Sequence, residues 1–290
     1  MRRSIPFILI VTLTLLSSCF KQTEDFTLAY QDRVGDAAVI IAAQHLGDDP
    51  KFSGKHFSSG SLTAEALISG NADAATMGDA VAVTLAARYP ETIVLVGIHG
   101  GGAQRHRLVG TSATPETIGV KFGTSTHAAL SSWLTYEARL IDISPSLQLS
   151  ALESGEIDAL AASEPTPSIA MMHLDEMKDM SLELPGKIYP LVLVTTRKVL
   201  KIKSEQLDHL IDEIRRAEQT LQSPLDSATQ ELLVNITGLD QEVLSSSLAY
   251  HQFKYEPVTE HLEELNILAE FMASQGKIPA IPIWEDVLQD

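Results

Sequence analysis

Two segments of this sequence carry the same pattern. Residues 66–79 align without gaps on residues 151–164, and six of the fourteen positions are identical. Each copy contains the end of a helical pattern, a glycine suited to cap it, a short apolar run typical of a buried strand, and a closing acid, Asp79 or Glu164. We interpret the repeat as a duplicated α/β unit, while the small residues in both runs account for part of the match. The sequence therefore predicts two similar lobes.

Short β-rich runs alternate with helical patterns through the first part of the chain. Strands are predicted at residues 27–30, 55–58, 72–77, 93–98, 118–122 and 157–162, and helices at 36–46, 62–69, 79–88 and 126–138, with a short helix ending at 154. This alternation is typical of parallel sheets with helices on their faces. From Ser204 onward the pattern is mainly helical, which predicts scaffold helices. The predicted fold class is therefore α/β.

The N-terminus has the pattern of an export signal. Arg2 and Arg3 precede an apolar run at residues 5–16, which is too short to span a bilayer core of about 30 Å. Residues 16–19 end in Cys19 and resemble the lipobox of bacterial lipoproteins, which implies removal of residues 1–18 and lipidation of Cys19. The alternative is an ordinary cleaved signal with an incidental cysteine. Residues 19–25 are then a tether, and the sequence contains no second cysteine for a disulfide.

Charge and composition exclude several kinds of partner. Thirty-eight acidic residues against 21 basic ones give a net charge of -17, which disfavours binding to nucleic acid because like charges repel. The nine histidines lack the spacing of metal ligands, so we expect neither a metal site nor a cofactor.

A polar loop at residues 123–127 is the strongest candidate for binding an anion. Thr124, Ser125, Thr126 and His127 follow a predicted strand and open a predicted helix. Free N–H groups and hydroxyls at the positive end of a helix suit the oxygens of a sulfonate, carboxylate or nitrate. The alternative is an ordinary N-cap that serves only its own helix. His127 either faces the ligand or packs beneath the loop.

Five further candidates follow predicted strands, where ligands bind in open α/β sheets. Asp79 and Glu164 occupy equivalent places in the two units and together suit an ammonium or ring N–H across a cleft; alternatively each caps its own helix. Gln31 and Ser59 are uncharged candidates for hydrogen bonding, or ordinary polar turn residues. Arg105 is a candidate cation for an anionic ligand, or a solvated loop charge.

The order of several motifs resembles a known family. The segments are residues 28–31, 57–60, 65–70 with Asp73, 123–127, 151–159 and 164–165. In this order they are similar to the nitrate/sulfonate/taurine-type substrate-binding proteins of bacterial ABC importers, over about residues 26–200.

The resemblance implies a two-lobed type II periplasmic-binding-protein fold with a ligand cleft between the lobes. The two crossovers between the lobes are then expected near residues 107–111 and 191–196. Lobe 1 comprises residues 26–111 and 193–290, and lobe 2 comprises residues 112–192.

The resemblance also implies a function without a covalent step. We expect a monomeric extracytoplasmic lipoprotein, held at the membrane by its lipid and facing the periplasm or cell exterior. It would capture a small anionic or zwitterionic ligand, similar to a sulfonate, taurine or nitrate, for an ABC permease and ATPase. The alternatives are an accessory or sensor lipoprotein on the same fold, or a binder of pyrimidine thiamine precursors. The related pyrimidine synthases carry a cysteine-rich motif that this sequence lacks.

Overall fold

The computed structural model describes residues 25–181 and 189–289. The predicted signal peptide, Cys19 and residues 19–24 of the predicted tether lie outside the described residues. No helix in the described part of the chain combines the length and apolar character needed to cross a membrane.

The described residues form ten strands and eleven α-helices. The strands are β1 (Phe26–Gln31), β2 (Phe52–Phe57), β3 (Ala74–Gly78), β4 (Ile93–Gly100), β5 (His106–Gly110), β6 (Thr117–Val120), β7 (Arg139–Asp142), β8 (Ala159–Ser163), β9 (Lys178–Ser181) and β10 (Leu191–Thr196). The helices are α1 (Ala37–Leu46), α2 (Gly60–Ile68), α3 (Asp79–Arg88), α4 (Ser125–Trp133), α5 (Pro145–Glu153), α6 (Thr166–His173), α7 (Arg197–Ile202), α8 (Ser204–Leu221), α9 (Ser227–Thr237), α10 (Gln241–Leu248) and α11 (Leu262–Ser274).

The strands form two five-stranded sheets. The first has the order β2-β1-β3-β10-β4 and the second the order β7-β6-β8-β5-β9. The repeated segments contribute α2–β3 and α5–β8, and β3 and β8 hold equivalent central places. Each lies between a parallel neighbour, β1 or β6, and an antiparallel neighbour, β10 or β5. The repeat in the sequence therefore corresponds to a repeat in topology.

The chain changes sheet earlier than the resemblance implies. Residues 107–111, expected to cross between the lobes, lie largely in β5, which pairs along its length with β8 of the second sheet. Residues 191–196 form β10, which pairs with β3 and β4 inside the first sheet. Both segments are buried β-rich runs whose backbone groups are satisfied by ladder pairing. The first change therefore falls in residues 101–105, and the second sheet begins at His106 rather than after residue 111.

The C-terminal helices pack on both faces of the first sheet. One face buries α1 together with apolar residues of α8, α9 and α10. The other buries α2, α3 and α11 around β3, β4 and β10. Because Val192 and Val194 of β10 face α3 and α11 while Leu193 faces α1, alternate residues of this strand join the two cores. This packing fixes the strand ends that border the cleft.

Candidate functional site

A cavity of about 180 Å³ lies in the cleft between the two sheets. Residues from both lobes line it, including Gln31 at the end of β1, Asp79 after β3 and Glu164 after β8. The carboxyl ends of these strands and the starts of the following helices meet at the cleft, as the topology of parallel α/β units requires.

Five helices begin at this cavity. The first residues of α2, α3, α4, α5 and α6, which are Gly60, Asp79, Ser125, Pro145 and Thr166, all line it. The first N–H groups of a helix have no acceptor within the helix, and the helix dipole is positive at this end. The cavity is therefore suited to a negatively charged group.

The hydroxyls at the start of α4 are all engaged by protein groups. Thr124 caps the helix: its Oγ1 accepts a hydrogen bond from the His127 N–H at 3.3 Å. The Ser125 hydroxyl donates to Asp79 Oδ1 at 3.0 Å, and Thr126 Oγ1 lies 2.5 Å from His106 Nδ1. Ser125 and Thr126 are the first two residues of the helix, so their main-chain N–H groups, rather than the hydroxyls, are left to meet a ligand at this end.

His127 packs beneath the loop. Its ring stacks on Phe122 with centroids 4.5 Å apart and meets the ring of Phe271 edge-on at 5.1 Å. Its Nδ1 accepts a hydrogen bond from the Gly123 N–H at 3.2 Å, and the residue does not line the cavity. In the structure, His127 therefore packs beneath the loop and does not face the cavity.

Asp79 and Arg105 are two buried, oppositely charged residues that line the cleft. Asp79 is 4% exposed, and its Oδ1 accepts hydrogen bonds from the Ala80 N–H and from Ser125. Burial raises the pKa of Asp79, and the positive charge of Arg105 opposes this. Arg105 is 6% exposed, and its Nε donates to the Tyr189 carbonyl at 3.0 Å. Among the described residues, the two terminal nitrogens of Arg105 have no hydrogen-bond partner within the protein.

Glu164 does not face Asp79 as a second free acid. Its side chain is fully buried, and Oε1 accepts a hydrogen bond from Arg107 Nη1 at 2.7 Å. Arg107 also donates to Asp179 Oδ2 at 2.6 Å. A buried carboxylate requires a partner, and Arg107 of the adjacent strand β5 is that partner. The predicted pair of acids that would hold an ammonium across the cleft is therefore not formed.

Ser59 and Gln31 differ in position. Ser59 is the N-cap of α2, where its side chain accepts a hydrogen bond from the Leu62 N–H at 3.4 Å, and it does not line the cavity. Gln31 is buried and does line it. A Cβ at position 60 would lie 3.3 Å from Gln31 Oε1, so Gly60 leaves room for this side chain.

Sequence reasoning missed seven polar residues that line the cavity: Arg33, His106, Lys121, Gln148, Ser163, Thr166 and His251. Lys121 directly follows β6, but the predicted strand at residues 118–122 includes it, so the sequence did not mark it as a residue at a strand end. His251 follows a helix that was interpreted as scaffold and gave no signal. Burial lowers the pKa of His251 to about 4, so this imidazole is neutral at pH 7.

A buried acid lies behind the cavity. Asp36 Oδ2 accepts hydrogen bonds from the Gln31 N–H at 2.6 Å and from the Thr76 hydroxyl at 2.9 Å. Its other oxygen lies 3.3 Å from His99 Nε2. Asp36 therefore fixes the end of β1, which carries Gln31. Among the described residues, no group of three or more His, Cys, Asp or Glu is arranged to hold a metal ion.

Solved structures of sulfonate-binding proteins match nearly the whole chain. The periplasmic aliphatic sulphonate binding protein SsuA from Escherichia coli is 18% identical, with a TM-score of 0.79 and 92% of each chain covered. The alkanesulfonate-binding protein SsuA from Xanthomonas axonopodis pv. citri, bound to MOPS, is 17% identical, with a TM-score of 0.75, covering 91% of this chain and 98% of that one.

A solved structure with lower similarity also has a periplasmic-binding-protein fold. The CA3427 gene product of Candida albicans, described as having the generic periplasmic binding protein structural fold, is 14% identical, with a TM-score of 0.66 over 91% of this chain and 96% of that one. Neither a protein-family model nor the sequence of a curated protein matches this chain. The two five-stranded sheets, the cleft between them and these similarities confirm that the chain has the two-lobed periplasmic-binding-protein fold.

Proposed function

We propose that this protein is an extracytoplasmic solute-binding protein that captures a small organic anion of the sulfonate class for an ABC importer. The observation that carries the proposal is the guanidinium of Arg105, which lines the cleft cavity with two terminal nitrogens that have no hydrogen-bond partner among the described residues. A buried cation of this kind requires an anion, and the helix starts around the cavity favour the same charge.

An anion in this cavity meets donors from both lobes. Arg105 offers a planar fork suited to two oxygens of one group, and the N–H groups of Ser125 and Thr126 suit a third. Contacts from both sides favour lobe closure, which excludes water and strengthens each hydrogen bond. Asp79 lies beside Arg105 and suits an ammonium on the same ligand, so a zwitterion such as taurine is the second form to test.

The similarities support the binding role, since both of the SsuA proteins similar to this chain are described as sulfonate-binding and the one from Escherichia coli also as periplasmic. The proposal includes export to the periplasm or cell exterior and anchoring through lipidated Cys19. The bound ligand is then delivered to a permease and its ATPase. Labelling of the expressed protein with a radioactive fatty acid, lost in Cys19→Ser, tests the anchor.

The ligand class is tested by calorimetric titration of the purified protein with methanesulfonate, taurine, nitrate and an uncharged pyrimidine. We expect a sulfonate to bind and Arg105→Gln to weaken binding by about 10- to 100-fold, the cost of a lost hydrogen bond to a charged group. Arg139→Gln, at an exposed arginine in β7 outside the cavity, is the matched control and should bind normally. Binding of the pyrimidine alone, unaffected by Arg105→Gln, would contradict the proposal and favour a precursor binder.

A further inference from the structure

The two repeated units correspond position by position in the structure. Helix α2 and strand β3 of lobe 1 have the same bounds as α5 and β8 of lobe 2 after a shift of 85 positions. The side chain of Thr63 donates to the Thr76 carbonyl at 2.7 Å, and the side chain of Gln148 donates to the Ala161 carbonyl at 3.2 Å. These donors and acceptors are related by the same shift. Each residue of α2 therefore has a counterpart at the equivalent place on α5.

Four of the nine positions of α2 and α5 carry the same residue in both units. Two of the identical pairs are buried in the cores of their lobes: Ala66 with Ala151 and Leu67 with Leu152. The other two pairs are exposed: Ser61 with Ser146 and Leu62 with Leu147. Leu62 is 42% exposed and Leu147 is 58% exposed. Packing within the lobes accounts for the buried pairs but not for the two leucines.

Leu62 and Leu147 stand at the rim of the cleft. A single exposed leucine is common and needs no explanation, whereas the same residue exposed at the same place in both lobes does. Gly60 and Pro145, two residues earlier in each helix, line the cleft cavity, but neither leucine does. The leucines are therefore beside the ligand site without being part of it. This position suits contact with a protein that covers the rim of both lobes.

We propose that Leu62 and Leu147 are the anchors by which this protein docks on the permease of its importer, each in an apolar pocket of the permease. The inference rests on the proposed function, in which a membrane partner receives the ligand from between the lobes. Equivalent anchors suit a partner with two equivalent pockets, as two copies of one subunit would form. Neither α2 nor α5 contains a lysine or arginine, and Glu65 and Glu153 are exposed on them. Positive charge around the pockets would complement these acids.

Contact with both lobes makes docking sensitive to lobe closure. The distance between Leu62 and Leu147 changes when the lobes move, so two fixed pockets fit only one arrangement of the lobes. A partner favours one conformation by binding it more tightly than the other. Closure around the ligand would set the distance that the permease accepts, and the loaded protein would dock in preference to the empty one.

The test separates delivery from ligand binding. Cells in which the gene is replaced by each variant are assayed for uptake of radiolabelled methanesulfonate or taurine, whichever the purified protein binds more tightly. A strain without the gene gives the background, and each purified variant is titrated with the same compound. We expect Leu62→Asp and Leu147→Asp each to lower uptake at least tenfold, about the gain in association from burying one leucine side chain. Both variants should bind the compound within about twofold of the wild type.

Two further variants control for effects on the fold. Ile202→Asp makes a comparable apolar-to-acidic change at a lobe 1 side chain that is 49% exposed. Ile202 ends α7, which follows β10 at the end away from Leu191, and Leu191 is the β10 residue that lines the cavity. This variant should keep both uptake and binding. Leu62→Met keeps an apolar side chain of similar volume and should also keep uptake.

Unchanged uptake in either aspartate variant, or a loss of ligand affinity that matches the loss of uptake, would overturn this inference and leave the proposed function standing. An equal loss of uptake in Ile202→Asp would also overturn it. Wild-type uptake no higher than the background, or no binding of methanesulfonate or taurine, would overturn both the inference and the proposed function.

Discussion

Ser125 of lobe 2 donates a hydrogen bond to Asp79 of lobe 1 across 3.0 Å, between residues 46 positions apart in the chain. Both side chains begin a helix and both are buried. The lobes also meet where the Arg107 guanidinium lies 4.2 Å from the centre of the Tyr250 ring and where the Ser168 and Ser246 hydroxyls approach to 3.3 Å. The interlobe contact therefore involves the cleft and the C-terminal helices together.

Ser125→Ala tests how much this contact contributes to stability. The variant leaves a buried carboxylate with one donor fewer, so we expect the free energy of unfolding in urea to fall by about 1–3 kcal/mol. Ser132→Ala is the control, since its exposed hydroxyl donates only to the Ala129 carbonyl of its own helix. Equal losses in the two variants would show that Asp79 does not depend on Ser125.

Ser59→Ala separates a helix cap from a ligand contact. Ser59 caps α2 and does not line the cavity, so the variant should lose about 1 kcal/mol of stability and keep its ligand affinity. Ser59→Asp, which also caps helices well, should recover most of the stability. A tenfold loss of affinity in both variants would instead make Ser59 a ligand contact.

The fold could be predicted where the local pattern is strong. The predicted helix at residues 79–88 is α3 residue for residue, and the repeat correctly identified β3 and β8 as equivalent strands. The strands β7 and β9 were missed because they lack the apolar run that marks the equally short β6 in the sequence. The sequence predicts a crossover where β5 lies, because an apolar run does not reveal which sheet it joins.

The sequence could predict only those site residues that lie at or after the ends of predicted strands. Gln31 ends a strand of the first sheet, Asp79 and Arg105 follow two others, and the structure brings the three residues to one cavity. The partner of Glu164 is Arg107, 57 positions earlier, and ion pairing over that distance has no local signature. His251 lies after a C-terminal helix whose docking on lobe 1 depends on the packed core.

For the Arg107–Glu164 ion pair, we expect a double substitution to destabilise the protein less than the substitution of Arg107 alone. Both side chains are almost completely buried, and Arg107→Met leaves the Glu164 carboxylate without its cation, at a cost of about 3–5 kcal/mol. Adding Glu164→Gln removes the stranded charge. We therefore expect the double variant to be more stable to urea than Arg107→Met alone. A double variant less stable than either single one would show that the two residues do not interact as a pair.

Asp36 and His99 are fully buried neighbours with shifted pKa values. Burial raises the pKa of Asp36 from 3.8 to about 7, and the hydrogen bonds from Gln31 and Thr76 only partly oppose it. Burial lowers the pKa of His99 to about 3, with the positive charge of Arg105 adding to the effect. At pH 5, Asp36 is therefore protonated and the neighbouring His99 imidazole is neutral.

Asp36→Asn is expected to change how stability depends on pH. Because the pKa of Asp36 is higher in the folded protein, the folded state holds more protons than the unfolded state between pH 4 and about 7. The contribution of Asp36 to the free energy of unfolding therefore falls as pH rises through this window and is constant above it. His99 contributes in the opposite sense between about pH 3 and 6.5, but it is present in both proteins. The measurement is urea unfolding of both proteins at each pH from 4 to 8. We expect the wild type to lose stability relative to Asp36→Asn as the pH rises to 7. A constant difference over the whole range would mean that Asp36 is ionised in the folded protein.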